Sequence, residues 1–103
     1  MISVVIPALN ERKYIDGLLA DIARQDLPEG IEVIVSDAGS TDGTLDVVRV
    51  YQAKGLNIRA VKGGLPAAGR NRGSEASSGD PIFFIDADMS IPDKDFFKKA
   101  VDY

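Results

Sequence analysis

A chain of 103 residues with 45% hydrophobic side chains can bury one modest core, so a single domain, or part of one, is expected over residues 1–103. Its 16 acidic and 12 basic residues, a net charge of -4, argue against a nucleic-acid binder, which carries a basic stripe. With neither cysteine nor histidine, thiol enzymes, serine–histidine hydrolases and zincins are excluded, and any chemistry must run on carboxylates, amides, hydroxyls, Arg, Lys, Tyr or a bound metal.

The opening run ISVVIP, residues 2 to 7, is β-branched and ends on proline, which predicts a buried strand. It has no basic leader and is too short for a signal peptide or membrane span, so a cytoplasmic chain without a membrane segment is expected. In ERKYIDGLLADIARQD the residues Ile15, Leu18, Leu19 and Ile22 fall at i, i+3, i+4 and i+7, one apolar helical face. IEVIVSD, residues 31 to 37, is a second strand that ends on Asp37. Beyond AGSTDG, the segment TLDVVRVYQAK repeats Leu45, Val48 and Tyr51 at helical spacing, with Ser40, Thr41 and Asp42 as candidates to cap its start. NIRAVK, residues 57 to 62, is a third and weaker strand. GLPAAGRNRGSEASSG reads as a loop passing into a small-residue helix, with Pro66 suited to its first turn. DPIFFID is the fourth strand, and Ser90, Pro92 and Asp93 announce a last helix in DKDFFKKAVDY. The alternation β-α-β-α-β-α-β-α with continuously apolar strands predicts a doubly wound α/β layer, mostly parallel, with helices on both faces.

Each unusual polar cluster follows a strand directly: Asn10 and Glu11 the first, Asp37 and GSTDG the second, Asp86 and Asp88 the fourth. The carboxyl ends of parallel strands form one rim where ligands bind, so these clusters are expected to meet in one cleft. In an extended segment residues i and i+2 point to one side, so Asp86 and Asp88 of IDAD can both face a single hard cation. An isolated Asp-x-Asp also reads as nothing more than a strand end and a turn. Asp37 offers an acceptor for the N–H of a planar base, and Gly39 lets the backbone turn tightly beside a ligand; GSTDG equally makes a plain turn and helix cap. Gly64, Gly69 and Gly73 permit close backbone approach, and Arg70 and Arg72 suit phosphate charge. GLPAAGRNRG matches neither the dinucleotide fingerprint nor a P-loop.

Taken in order, VVIPALNE, VIVSDAGSTDGT, GLPAAGRNRG and FFIDADMSIPD resemble the nucleotide-binding half of glycosyltransferase family 2, inverting sugar transferases of GT-A fold. The resemblance implies the strand order 3-2-1-4 and a nucleoside-diphosphate sugar as donor, a UDP-sugar foremost. It implies that Pro7, Asn10 and Glu11 line the nucleotide pocket, that Asp37 hydrogen-bonds the base with Gly39 at the turn, and that Arg70 lies near base and diphosphate. It places Asp86 at the ribose and Asp88 on a divalent metal, Mn2+ or Mg2+, which bridges the diphosphate. Two positions depart from the family's usual pattern: Ala38, where a second acid is common, and Gly69, where alanine is. The family's acceptor site and general base lie well downstream of the Asp-x-Asp, so this chain is expected to hold the donor half, with the acceptor half absent and the catalytic base unassigned. A bare fourth strand at the sheet edge predicts a homo-oligomer through that edge. A receiver-like phosphoacceptor, a sugar nucleotidyltransferase and a non-catalytic interaction module are the rival readings.

Overall fold

The computed structural model describes residues 1–64 and 66–101, and the backbone alone for residues 66–70. Eight elements alternate as expected: β1 (Ile2–Ala8), α1 (Arg12–Ala23), β2 (Ile31–Asp37), α2 (Thr44–Ala53), β3 (Ile58–Lys62), α3 (Pro66–Ala76), β4 (Ile82–Phe84) and α4 (Phe96–Val101). All strand pairs are parallel, in the order β3-β2-β1-β4. Among the described residues no helix is long and apolar enough to cross a membrane.

The two faces of the sheet differ in chemistry. Ile2, Val4, Ile6 and Ala8 of β1 join Val33 and Val35 of β2 in the main core, against Ile15, Leu18, Leu19 and Ile22 of α1 and Val48 and Tyr51 of α2. Phe97 of α4 enters the same core, with its ring edge-on to Phe83 of β4. The opposite face carries Ser3 and Val5 of β1 with Glu32, Ile34 and Ser36 of β2, all buried. α3 lies across β1, β2 and β3 on this side, and it comes close because Gly73 has no side chain. A Cβ there would sit 2.3 Å from Val5 Cγ1.

A buried polar knot fixes the connection from α3 to β4. The Glu32 carboxylate accepts the Ser3 hydroxyl at 2.6 Å, the Ser78 N–H at 2.9 Å, the Ser78 hydroxyl at 3.1 Å and an Arg59 N–H at 3.1 Å. Ser3 Oγ in turn accepts the Gly79 N–H at 2.8 Å. Burial alone would raise the Glu32 pKa, but these donors and the Arg59 charge outweigh it and hold it at about 2.

β4 is shorter than its sequence predicts. The odd residues of β1 turn their backbone groups toward β4, as in Ser3 N–H to Pro81 O at 3.0 Å and Ile85 N–H to Val5 O at 3.0 Å. The next donor on that side would be Pro7, which has no N–H, so the ladder stops there. The chain leaves the strand after Phe84, before it reaches Asp86. Beyond the turn, residues 91–97 are tied to α1 and the residues after it. Ile91 N–H donates to Asp21 Oδ2 at 2.8 Å, Gln25 Nε2 to Asp93 O at 2.7 Å, and Phe97 N–H to Gln25 Oε1 at 3.2 Å.

Candidate functional site

The carboxyl ends of the strands carry two adjoining clefts where the sequence predicts one. The first, of about 340 Å³, is lined by Asp37, Ala38, Gly39 and Leu45 on one side and by Ala60, Val61, Lys62 and Gly63 on the other. The second, of about 310 Å³, is lined by Pro7, Ala8, Leu9, Glu11, Gly64, Asp86, Ala87 and Asp88. The neighbours Gly63 and Gly64 face one cleft each, so the two meet where β3 runs into α3.

Asp86 and Asp88 reach the second cleft on a turn, not on an extended strand. Met89 N–H donates to Asp86 O at 3.0 Å, which closes a turn from Asp86 to Met89. The strand-alternation argument for a common side therefore fails, because β4 has already ended. The turn nevertheless puts both exposed carboxylates on one cleft with Glu11. Glu11 has its pKa raised, first by burial and then by the negative charges of Asp88, Asp42 and Asp86.

Asn10 lines neither cleft; it fastens the loop after β1 to the loop after β2. Its φ of 53° lies in the left-handed region that asparagine tolerates better than most residues. Its N–H donates to Ser40 Oγ at 2.8 Å, and its Oδ1 accepts the Thr41 N–H at 2.8 Å. The two following residues continue the seam, Glu11 N–H donating to Thr44 Oγ1 at 3.0 Å and Arg12 N–H to Asp42 Oδ2 at 3.1 Å. Asp42 also accepts the Thr44 N–H and hydroxyl. The N-cap of α2 is Gly43, with no side-chain cap, so Asp42 serves the turn just before the helix, and these donors lower its pKa.

Asp37 closes its own turn. Its Oδ2 accepts the N–H groups of Gly39 at 3.1 Å and Ser40 at 2.9 Å, and its Oδ1 accepts the Ser40 hydroxyl at 2.5 Å. Gly39 adopts φ 108° in this turn, a conformation only glycine takes freely. Arg72 donates to Gly63 O at 2.8 Å, bracing the loop between β3 and α3. Arg70 lies on α3, and its side chain is outside the described residues.

Lys62, Leu45 and Ser40 escaped the sequence reading as site residues, Leu45 being assigned there to a helix face and Ser40 to a helix cap. Lys62 faces the first cleft because β3 registers it opposite Asp37, and register between strands so far apart leaves no local signal. Leu45, expected in the core, is half-buried and lines that cleft.

Such a rim on a parallel sheet of order 3-2-1-4 defines a doubly wound α/β domain with its ligand site at the strand ends. A family model described as "Glycosyl transferase family 2" matches residues 3–103, and the chain belongs to that family. The poly(ribitol-phosphate) beta-N-acetylglucosaminyltransferase TarS of Staphylococcus aureus is 38% identical over 103 residues, which cover 95% of this chain and 18% of TarS. The crystal structure of S. aureus TarS 1-349 in complex with UDP-GlcNAc matches with TM-score 0.88 and 37% identity, covering 98% of this chain and 30% of that one. Mannosyltransferase PcManGT from Pyrobaculum calidifontis, in complex with GDP-Man and Mn2+, matches with TM-score 0.88 and 31% identity, over 97% of this chain and 31% of that one. The fold is thus the GT-A fold of these glycosyltransferases, and the chain spans less than a third of each relative's length.

Proposed function

We propose that residues 1–103 form the donor-binding part of a glycosyltransferase, taking a nucleoside-diphosphate sugar whose base enters the first cleft and whose diphosphate crosses to the second. The observation that carries this reading is the pair of adjoining clefts, one with the acceptor Asp37 and the donor Lys62, the other with Glu11, Asp86 and Asp88. Relatives holding UDP-GlcNAc or GDP-Man with Mn2+ support a nucleotide-sugar ligand.

Asp88, with Asp86 beside it, would hold a divalent cation, Mn2+ or Mg2+. Two carboxylates on one turn, close enough to Glu11 to raise its pKa, suit a hard ion that completes its shell with diphosphate oxygens and water. Among the described residues no cluster of three or more acidic groups could hold an ion unaided. When bound, such an ion neutralises charge that builds on a departing diphosphate. Pro7 and Glu11 shape the wall of this cleft, and Asn10 fastens the loop that carries Leu9 and Glu11.

Asp93 is engaged by Lys99 Nζ at 2.9 Å and by the Asp95 N–H at 2.9 Å, and neither aspartate lines a cleft. We infer that the 103 residues by themselves bind donor without passing the sugar on. Thermal melting with UDP and Mn2+ tests the reading. Ligand at about a hundred times its Kd adds roughly 2.7 kcal/mol to stability, so a clear rise in Tm needing both components is expected. An unmoved Tm at millimolar nucleotide would contradict donor binding, and sugar transfer by the chain alone would contradict the division of labour.

A further inference from the structure

Asp21 stands in the last turn of α1, where a negative charge opposes the helix dipole, yet its side chain is only 12% exposed. Its carboxylate has two partners: Oδ1 takes the Arg24 guanidinium, and Oδ2 accepts the Ile91 N–H at 2.8 Å. The second bond reaches the segment directly beyond Asp86 and Asp88. Upstream of these aspartates the chain is held to β1 by the Ile85 N–H on Val5 O at 3.0 Å, and Ile85, Ala87 and Ile91 are all buried. Among the described residues, the backbone of residues 86–90 makes no hydrogen bond besides the one that closes the turn. The turn thus hangs between two hydrogen-bonded anchors, β1 at its near end and the Asp21 side chain at its far end. Asp21 itself lines neither cleft.

We propose that Asp21 is a positioning residue for the cation site: by holding the Ile91 N–H it fixes the far end of the turn, and with it the spacing at which Asp86 and Asp88 meet a divalent cation. The inference rests on the reading of these two aspartates as cation ligands and adds the residue that keeps them in place. A small divalent cation takes its oxygen ligands at short, closely defined distances. Carboxylates on a slack turn must first be ordered, and that ordering weakens binding. Groups that orient metal ligands without touching the metal are worth about 10–100-fold in its affinity. Gln25 grips the same segment farther on, donating to Asp93 O and accepting the Phe97 N–H. Its bonds lie beyond Ile91 and secure the start of α4, so their loss leaves the turn anchored. The two side chains have separate effects: Asp21 acts on the cation site, Gln25 on the fold.

The test is calorimetric titration of UDP, with and without Mn2+, into the wild-type chain, Asp21→Ala, Asp21→Asn and Gln25→Ala. With Mn2+ present, Asp21→Ala should bind UDP about tenfold more weakly than the wild type; without the metal the two should not differ. Asp21→Asn still offers an oxygen to the Ile91 N–H and should keep the wild-type affinity. Gln25→Ala should lower the melting temperature and spare the affinity. An unchanged affinity in folded Asp21→Ala overturns the inference. An equal loss in Gln25→Ala, or a loss in Asp21→Ala that persists without Mn2+, overturns it too, because the clamp then serves stability alone. Amide exchange in the wild type decides the matter even if Asp21→Ala does not fold: UDP with Mn2+ should slow exchange at the Ile91 N–H, since a cation that prefers the anchored turn must strengthen the anchor in return. Exchange at Ile91 indifferent to the ligand contradicts the proposal. If Mn2+ does not tighten UDP binding to the wild type, the cation reading itself falls and takes this inference with it; tightening that Asp21→Ala leaves intact sinks the role of Asp21 alone.

Discussion

Glu32 and Asp37 sit five residues apart on one strand, so they face opposite sides of the sheet, and both are nearly buried. Glu32 is closed off by four donors from Ser3, Ser78 and Arg59, whereas Asp37 keeps an edge on a cleft. The consequence for Glu32 is a pH signature. Its folded pKa of about 2 lies below the ordinary 4.5, so its stabilisation is complete above about pH 4.5 and drains away as pH falls toward 2. Integrated over that window it amounts to roughly 3 kcal/mol. Urea denaturation of the wild type should show that loss between pH 5 and pH 2. Glu32→Gln should be less stable at pH 7 by about 2–3 kcal/mol and much flatter across the same window; a variant with the wild-type slope would place the titration elsewhere.

At the scale of elements, apolar runs, periodicity and helix-start residues placed all eight in order: β1 and β2 are buried on both faces, α1 and α2 each bury one apolar side, and α3 and α4 were announced by Pro66 and by Ser90, Pro92 and Asp93. The ends were harder to read. β4 stops at Phe84 because Pro7, on another strand, withholds an N–H, and no local pattern around IDAD reveals that. Gly73 was legible as a site of close approach, yet the neighbour is Val5 of β1, not a ligand. Gly73→Val should therefore push α3 off the sheet at a cost of about 1–3 kcal/mol or more. A chemical melt with an unchanged midpoint would show that α3 does not bear on β1 as described.

For the whole molecule, the ordered set of four motifs was readable and pointed to the family directly. The division of the rim into two clefts was not, because it depends on Lys62 lying opposite Asp37 and on Asn10 serving as a clasp. β4 forms one edge of the sheet, and Phe84 on it is 49% exposed. We propose that two chains associate through this edge. Light scattering should give a mass above that of one chain at micromolar concentration, and a constant monomer mass would argue against it. The most direct test of donor binding at the rim is calorimetric titration of UDP into the wild type and into Asp88→Ala, with and without Mn2+. Binding that needs Mn2+ in the wild type and is lost or weakened at least about tenfold in Asp88→Ala is the predicted result. Equal UDP affinity in the two proteins, or affinity indifferent to Mn2+, would contradict it.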